Sequence, residues 1–464
     1  MNSDKTADIA RVPVLIHELF HLAWPVLIAQ LAVMANGVID TVMAGRLSPV
    51  DLAAVGIGAS IYFTVFVTAM GVLIALTPNV AHLYGAGDQA VIGEEVRQSA
   101  WLALLLGVAV ILLMRHPEPF MWLSQLTPAV EVKVRAYLDA LSWSVMPVLL
   151  FRVFYGFASG IGRPRPIMVF NLFGVLLKVP LNLVFMYGGL GMPALGGPGC
   201  AVATAVTGTL TCVLAWLWCA SNAEYRPYRI FSDFSGPRPA KILTLLRLGL
   251  PIGVTFFVDV TAFTFMALFI ARLGPATSAA HQIASNLAAL VFMLPLSLGN
   301  AASVLAGQAL GAGDARRARQ AGLAGIATGL ACGLLTCLLL SFGADTIAGL
   351  YTNNREVRTA AALLIGYVAV YHIFDATQTA AVSVLRGYKK TTVPMAIYVV
   401  ALWGIGLAGG YLLGLTDTFG APRGAPGFWL AALLSLALAA SLVTAYFLRV
   451  SKLPAVAALQ PGQR

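Results

Sequence analysis

The sequence predicts an all-α polytopic membrane protein, with about twelve transmembrane helices in two six-helix lobes related by a pseudo-twofold axis. Three observations support this fold class. The 464 residues are 59% hydrophobic and only 10% charged, whereas about a quarter of the residues in a soluble protein are charged. Apolar stretches of about 20 residues, the length that crosses a bilayer as a helix, recur along the chain. The chain also matches itself, because residues 22–88 align without a gap on residues 248–314.

Each apolar stretch predicts one transmembrane helix. In chain order the stretches are 22–44, 53–77, 98–114, 136–158, 167–189, 200–220, 243–271, 280–306, 321–343, 360–384, 394–415 and 427–448. The first stretch is too long for a removable signal peptide and lacks a small-residue cleavage site.

The longest polar interruption, residues 221–247, divides the chain into two lobes of about six spans each. We assign residues 1–232 to an N-terminal lobe that begins with a short cytoplasmic segment. Residues 233–464 form a C-terminal lobe with a short cytoplasmic tail, and residues 452–464 are predicted to be disordered.

The internal repeat predicts that both lobes share one scaffold and one orientation. The matched segments are Pro25 with Pro251, residues 46–49 with 272–275, and residues 85–88 with 311–314. An even number of spans per lobe makes the repeat parallel, with its axis along the membrane normal. A chain built twice from one hydrophobic unit usually places a transport path between the copies.

The basic residues are distributed unevenly between the loops. With a cytoplasmic N-terminus, nineteen of the 29 lysines and arginines fall in loops on the inside and eight in loops on the outside. This is the positive-inside bias, which predicts that both termini are cytoplasmic. The uneven distribution of the basic residues therefore sets the orientation of the protein in the membrane. The net charge of +10 is explained by it and does not imply a nucleic-acid partner.

The acidic residues inside apolar spans include Asp40, Asp259 and Asp375. A charged side chain at the bilayer centre costs at least about 2.5–3.5 kcal/mol, so it usually faces a cavity or a partner. The alternative for each acid is a purely structural role, in which it is buried and paired and holds helices together.

A second group of polar residues accompanies Asp375. Tyr367, Tyr371 and Asp375 are spaced four apart and Gln378 follows at three, so all four share one helix face. Hard cations such as Na⁺ bind carboxylate, phenol and amide oxygens of this kind, by analogy with Ca²⁺ and Mg²⁺. Burial favours the protonated carboxyl group, so a proton would compete for the same site.

Aromatic residues surround Asp259 in sequence, among them Phe256, Phe257 and Phe263. An acid among aromatic rings suits an organic cation, through charge pairing and cation–π contacts. The alternative for these phenylalanines is ordinary packing against lipid or against the protein core.

The N-terminal lobe carries a different set of polar residues inside its spans, namely Asn36, Asp40, Lys178, Asn182 and Thr204. Lys178 and Asn182 are four apart and share a helix face. Lys178 either forms an intramembrane ion pair with Asp40 or extends its ammonium group to the membrane interface. The acids do not repeat between the lobes, since Met266 matches Asp40 and Val33 matches Asp259.

The segment 17–21 reads His-Glu-Leu-Phe-His, which fits the zinc-protease signature. We reject this interpretation because the nearest plausible third ligand, Asp40, would lie about 28 Å away on the same helix.

No ATPase motif occurs, so energy for transport must come from an ion gradient.

Several segments together resemble the NorM type of the multidrug and toxic compound extrusion (MATE) family over residues 15–450. They are Pro25, residues 39–45 (Ile-Asp-Thr-Val-Met-Ala-Gly), residues 83–87 (Leu-Tyr-Gly-Ala-Gly) and residues 385–389 (Leu-Arg-Gly-Tyr-Lys). The resemblance implies twelve helices in two lobes around a V-shaped cavity, and antiport of cationic drugs against Na⁺ or H⁺. It also implies cation-site residues at Asp259, Tyr371 and Asp375, and at Asp40, Asn182 and Thr204. The chain departs from the family pattern in having aspartate at 259, where similar proteins have glutamate, and lysine at 178, where some have asparagine.

The sequence thus predicts a multidrug efflux antiporter, without enzymatic activity or a cofactor, in the cytoplasmic membrane of a bacterium. Its predicted partners are small organic cations as substrates and membrane lipid, and we expect a monomer. Na⁺ and H⁺ both remain open as coupling ions, because the same carboxylates serve both. The alternatives are a flippase for lipid-linked oligosaccharides, whose cavity should present many basic residues, and more remotely an intramembrane metalloprotease at residues 17–21.

Overall fold

The computed structural model describes residues 2–124, 126–189, 191–233 and 235–452, with side chains from residue 13 onward except those of 122–124. Within those ranges, twelve helices are long and apolar enough to cross a membrane, which confirms the predicted fold class. We label these helices α1 Asn2–Leu47, α2 Pro49–Gly85, α3 Gln89–Arg115, α4 Pro128–Gly160, α5 Arg165–Tyr187, α6 Gly199–Ser221, α7 Pro239–Ala271, α8 Pro275–Gly311, α9 Ala315–Tyr351, α10 Arg355–Gly387, α11 Thr392–Leu415 and α12 Ala425–Val450. Beyond Lys452, the predicted disordered tail lies outside the described residues.

Two of the matched segments, residues 46–49 with 272–275 and residues 85–88 with 311–314, lie at the junctions between consecutive helices. Gly87 ends the turn between α2 and α3 with φ +80°, and Gly313 ends the turn between α8 and α9 with φ +79°. Glycine is favoured at both positions because a side chain is strained in this left-handed region. The copies differ in capping, since Asp314 accepts a hydrogen bond from the backbone N–H of Arg317 at 2.8 Å, whereas Asp88 makes no such bond.

The contacts divide the chain into two compact units. Within the described residues, the first unit contains residues 25–253, and the second contains residues 2–24 together with residues 254–452. The boundaries fall next to the two matched prolines, Pro25 and Pro251, and both lie inside long helices. The lobe boundary at 232/233, drawn from composition, remains a prediction.

Each unit has its own apolar core. In the first, buried side chains of α2, α3 and α4 pack with Ile242 and Leu245, which lie at the start of α7. In the second, Leu15 and Leu19 of α1 pack with buried residues of α8, α9, α10 and α12. The first part of α1 therefore belongs to the same core as the C-terminal helices.

The polar interruption between α6 and α7 packs against α3. The Arg97 guanidinium donates hydrogen bonds to the carbonyl groups of Arg229 at 2.6 Å and Ile230 at 3.2 Å. Gln98, which is fully buried, donates to the Gly236 carbonyl at 2.9 Å and accepts from the Arg238 N–H at 2.7 Å. These side chains satisfy backbone groups that have no helix or strand to pair with. The connection between the two halves is thus a fixed part of the first unit.

Candidate ion-coupling sites

Asp259 on α7 forms a direct hydrogen bond within the second unit. The Tyr398 hydroxyl of α11 donates to Asp259 Oδ1 at 2.6 Å. Asp375 and Tyr371, both on α10, lie close enough to Asp259 to interact with it electrostatically. The structure therefore brings together three residues that the sequence singled out, and adds Tyr398, which the sequence analysis missed.

Only part of the predicted polar face of α10 contributes to the site around Asp259. Tyr371, Asp375 and Gln378 are buried, and Tyr367 is half-buried. Gln378 accepts a hydrogen bond from the neighbouring Thr379 hydroxyl at 3.3 Å, and Tyr367 packs against the apolar core. Within the described residues, neither Gln378 nor Tyr367 hydrogen-bonds to a carboxylate of the site.

His372 is a second residue that the sequence analysis did not assign to the site. Its Nδ1 lies 3.6 Å from Asp375 Oδ2, and its side chain is almost completely buried. The residues are three apart on α10, a spacing that places side chains next to each other on a helix. The spacing of three between His372 and Asp375 was the available signal in the sequence for this contact. The same spacing is also common between helix residues that have no shared function.

The three phenylalanines near Asp259 have different surroundings. Phe256 lies under the Arg386 guanidinium, whose central carbon is 5.4 Å from the ring centre. Phe263 packs against Trp429, with 6.3 Å between the ring centres, and Phe257 is 39% exposed. Phe256 and Phe263 thus have partners inside the protein, and Phe257 is the most exposed of the three.

The backbone of α11 is irregular beside Asp259. The helix begins as an α-helix, changes to a π-helix over Val400–Ala408 and returns to an α-helix at Gly409. In this stretch the Trp403 indole N–H donates to the Val258 carbonyl at 3.3 Å, one residue before Asp259. π-Helical segments often occur at functional sites. Apolar periodicity does not reveal such a segment.

Asp40 on α1 forms a buried ion pair in the first unit. Lys178 Nζ on α5 lies 3.0 Å from Asp40 Oδ2, and the whole lysine is only 1% exposed. The ion-pair interpretation of Lys178 is therefore confirmed, and the interpretation that it extends to the membrane interface is wrong. Asn182, one turn further along α5, donates to Asp40 Oδ1 at 2.8 Å.

The same lysine has two further oxygen partners on α6. Its ammonium group donates to the Cys200 carbonyl at 2.9 Å and to the Thr204 hydroxyl. Thr204 in turn donates to the Cys200 carbonyl at 2.9 Å. Asn36 is not brought into this cluster by a hydrogen bond, since its buried Oδ1 has no partner among the described residues. Four of the five polar residues predicted here thus form one network.

The His-Glu-Leu-Phe-His segment near the start of α1 has a structural partner. Arg317 at the start of α9 donates to both carboxylate oxygens of Glu18, each at 3.0 Å. The rings of His17 and His21 have centres 6.4 Å apart. Among the described residues, no group of three or more histidine, cysteine, aspartate or glutamate side chains is placed to hold a metal ion.

Comparison with solved structures shows the fold. The chain superposes on the eukaryotic MATE transporter AtDTX14 with a TM-score of 0.85 at 18% identity, covering 94% of this chain and 96% of that one. A mutant of the Vibrio cholerae MATE transporter VcmN gives a TM-score of 0.84 at 19% identity, with 97% and 99% covered.

Comparison of sequences shows the family. The chain is 41% identical over 439 residues to the probable multidrug resistance protein NorM of Aromatoleum aromaticum, covering 93% of each chain. It is 41% identical over 420 residues to the multidrug resistance protein PmpM of Pseudomonas aeruginosa, covering 90% of this chain and 88% of that one. The MatE family model matches residues 25–184 and 251–412, so each match begins at one of the paired prolines. The chain therefore belongs to the MatE family, a family of membrane transporters and not of enzymes.

Proposed function

We propose that the chain is a multidrug efflux antiporter, which exports organic cations in exchange for Na⁺ or H⁺ by alternating access. Its place is the cytoplasmic membrane of a bacterium, with both termini in the cytoplasm, and it acts as a monomer surrounded by lipid. The names of the similar sequences, which are multidrug resistance proteins, support export of drugs.

The observation that carries this proposal is the pair of acids in the second unit. Asp259 has a phenol as its partner at 2.6 Å, and Asp375 has an imidazole at 3.6 Å. Within the described residues, neither acid is paired with a lysine or an arginine. The His372 imidazole can lose its proton, unlike a lysine or an arginine, so neither carboxylate is held by a permanent positive charge. Both are therefore available to a cation that enters from outside.

The proposed coupling is competition for these carboxylates. A Na⁺ ion or a proton at the Asp259–Asp375 cluster neutralises the charge that attracts an organic cation. Binding of the drug and binding of the coupling ion therefore exclude each other, and each promotes the release of the other. Tyr398 orients the Asp259 carboxylate through its hydrogen bond, and Tyr371 lies beside both acids. The two phenol groups offer further oxygens to Na⁺.

The coupling residue is tested by ethidium efflux from cells that express the Asp375→Asn variant. Efflux should fall to the level of cells without the transporter. The matched control is Asp345→Asn, which changes an exposed acid of α9 that pairs with Arg358. Efflux by Asp375→Asn at the wild-type rate would refute the assigned role.

The coupling ion is tested with purified protein in liposomes. Drug movement is measured first with a Na⁺ gradient alone and then with a pH gradient alone. The gradient that drives accumulation identifies the ion, and accumulation with neither gradient would contradict antiport.

The flippase alternative has less support. Its cavity would need free basic side chains for a pyrophosphate group. Lys178 on α5 is paired with Asp40, and the Arg152 guanidinium on α4 lies over the Tyr155 ring at 4.2 Å.

A further inference from the structure

One end of the second unit carries a dense group of basic residues. They lie where α9 begins and where α10 and α12 end, and they are Arg316, Arg317, Arg319, Arg386, Lys389, Lys390, Arg449 and Lys452. The three segments, residues 311–320, 384–391 and 447–452, contain a single acid, Asp314, which caps α9. Arg317 is also paired with Glu18 of α1. We call these three segments the basic surface.

Three contacts bring the segments of the basic surface together. The Tyr388 ring, directly after α10, packs edge-on against Phe447 of α12, with 5.7 Å between the ring centres. Gly322 of α9 lies against the same phenylalanine, since a Cβ atom at Gly322 would be 2.5 Å from its ring. Arg319, three residues before Gly322, is close enough to Tyr388 to interact with it electrostatically. The basic residues of the three helices therefore share one end of the second unit.

Two buried groups at this surface have no hydrogen-bond partner. Arg319 Nε and the Tyr388 hydroxyl are buried and make no hydrogen bond among the described residues. Tyr388 is only 3% exposed, whereas Arg319 is half-buried, so part of the arginine side chain reaches the surface. Buried polar groups are normally paired, so two neighbouring exceptions call for an explanation. Both groups can donate to one anion, and a guanidinium binds phosphate through two parallel N–H bonds.

An apolar stripe on α9 continues from Arg319 into the membrane span. Leu323 and Leu330 follow Arg319 at four and eleven residues, hence on the same helix face, and each is 40% exposed. Arg319 and Leu330 are about 16 Å apart along the helix axis, which is about half of the roughly 30 Å hydrocarbon core of a bilayer. The stripe therefore spans one leaflet, with the arginine at the level of the headgroups. This arrangement fits a phospholipid better than a small anion in solution.

The three arginines at the start of α9 belong to the second copy of the repeat only. When the alignment of the copies is continued past residues 88 and 314, the matched positions hold Ala90, Val91 and Gly93. The positive charge is therefore not part of the scaffold that the two copies share, and it needs a reason specific to the second unit.

We propose that the basic surface binds the headgroup of one anionic phospholipid, with Arg319 and Tyr388 holding its phosphate. Basic pockets between the ends of transmembrane helices bind anionic headgroups in this way. The site itself does not depend on the proposed antiport, whereas its place in the cytoplasmic leaflet rests on the proposed orientation.

The test is binding of phosphatidylglycerol to the purified full-length protein in detergent, followed by native mass spectrometry over a lipid titration. We expect one tightly bound molecule per chain, and weaker binding of the zwitterionic phosphatidylcholine. Arg319→Gln should lower the affinity for phosphatidylglycerol about tenfold, the scale of one charge-assisted hydrogen bond. The matched control is Arg355→Gln, which removes an exposed arginine at the opposite end of α10 and should bind like the wild type.

Thermal unfolding separates a role in binding from a role in folding. Tyr388→Phe removes a hydroxyl that has no partner in the protein, so the lipid-free variant should unfold at or above the wild-type temperature. Its stabilisation by phosphatidylglycerol should nevertheless be smaller than that of the wild type. Arg319→Lys keeps the charge without the planar fork, so it should lose less affinity than Arg319→Gln and serves as the second variant if Arg319→Gln does not fold.

Three results would overturn the proposal. The first is equal stabilisation of the wild type by phosphatidylglycerol and phosphatidylcholine, and the second is unchanged phosphatidylglycerol binding in the Arg319 and Tyr388 variants. The third is stabilisation by inorganic phosphate as large as that by phosphatidylglycerol, because the ligand would then be a small anion. Wild-type protein that moves no drug in liposomes would contradict the proposed function, and the lipid site would still be decided by the binding measurement.

Discussion

The hydroxyl of Tyr398 donates a hydrogen bond of 2.6 Å to the carboxylate of Asp259, and so joins α11 to α7 beside the π-helical segment. A hydrogen bond to an ionised group contributes about 1.5–3 kcal/mol. This bond fixes the orientation of the Asp259 carboxylate.

We expect Tyr398→Phe to weaken coupling at Asp259 while the protein still folds. Loss of the bond should raise the concentration of coupling ion needed for half-maximal efflux by about tenfold, in line with about 1.4 kcal/mol. The measurement is drug efflux from liposomes as a function of coupling-ion concentration. Tyr411→Phe is the matched control on the same helix, because the Tyr411 ring packs on Phe269 at 5.2 Å. An unchanged ion dependence in Tyr398→Phe would contradict the orienting role.

Replacing only one partner of the buried pair of Asp40 and Lys178 should strongly destabilise the protein. Removing one partner of a buried ion pair leaves an unpaired charge, at a cost of about 3–5 kcal/mol. In Na⁺-free buffer, Asp40→Asn and Lys178→Met should each lower the unfolding temperature more than the double variant does. A double-mutant cycle by thermal unfolding measures this coupling. Additive effects of the two substitutions would show that the residues do not interact.

The conformation of the polar connection between α6 and α7 should depend on its hydrogen bonds to α3. Arg97→Ala removes the donors to the Arg229 and Ile230 carbonyl groups, and we expect residues 229–238 to become sensitive to limited proteolysis. The control is Arg226→Ala, which changes an exposed side chain of the same connection. Equal protease resistance in both variants would mean that Arg97 does not hold the segment.

Close packing of α7 on α2 should not tolerate a methyl group. A Cβ atom at Gly249 would lie 2.2 Å from the Val72 carbonyl oxygen, whereas a Cβ at Gly56 would have no heavy atom within 4 Å. Gly249→Ala should therefore lower the unfolding temperature and the yield of folded protein. Gly56→Ala should be neutral or slightly stabilising, because alanine has the higher helix propensity by about 1 kcal/mol. Equal unfolding temperatures would argue against the tight contact.

The sequence alone was sufficient for the architecture and for most of the charged residues of the sites. Helix length and apolar composition are local properties, so the twelve helices follow from them. Asp40, Asp259 and Asp375 were found because a charge inside an apolar span is costly and therefore conspicuous. Lys178 was found for the same reason, but its partner depended on how α5 packs on α1.

Tyr398 and His372 could not be assigned in the same way. A tyrosine in an apolar span is not costly, since its ring is apolar and its hydroxyl needs a single partner. Only the packing of α11 against α7 reveals that this partner is Asp259. The π-helical segment of α11 is likewise invisible to hydrophobic periodicity, because its residues are apolar on all sides.

The pair of Lys178 and Asp40 also determines how the transporter responds to voltage. Moving one elementary charge across 100 mV changes the free energy by about 2.3 kcal/mol. A lysine and an aspartate held 3.0 Å apart carry no net charge, so their displacement during the cycle does almost no electrical work. The Lys178–Asp40 pair therefore contributes little to any dependence of transport on the membrane potential. In the proposed antiport, exchange of one monovalent drug for one Na⁺ or one proton moves no net charge. The drug gradient reached at a constant ion gradient should therefore stay the same when the membrane is depolarised.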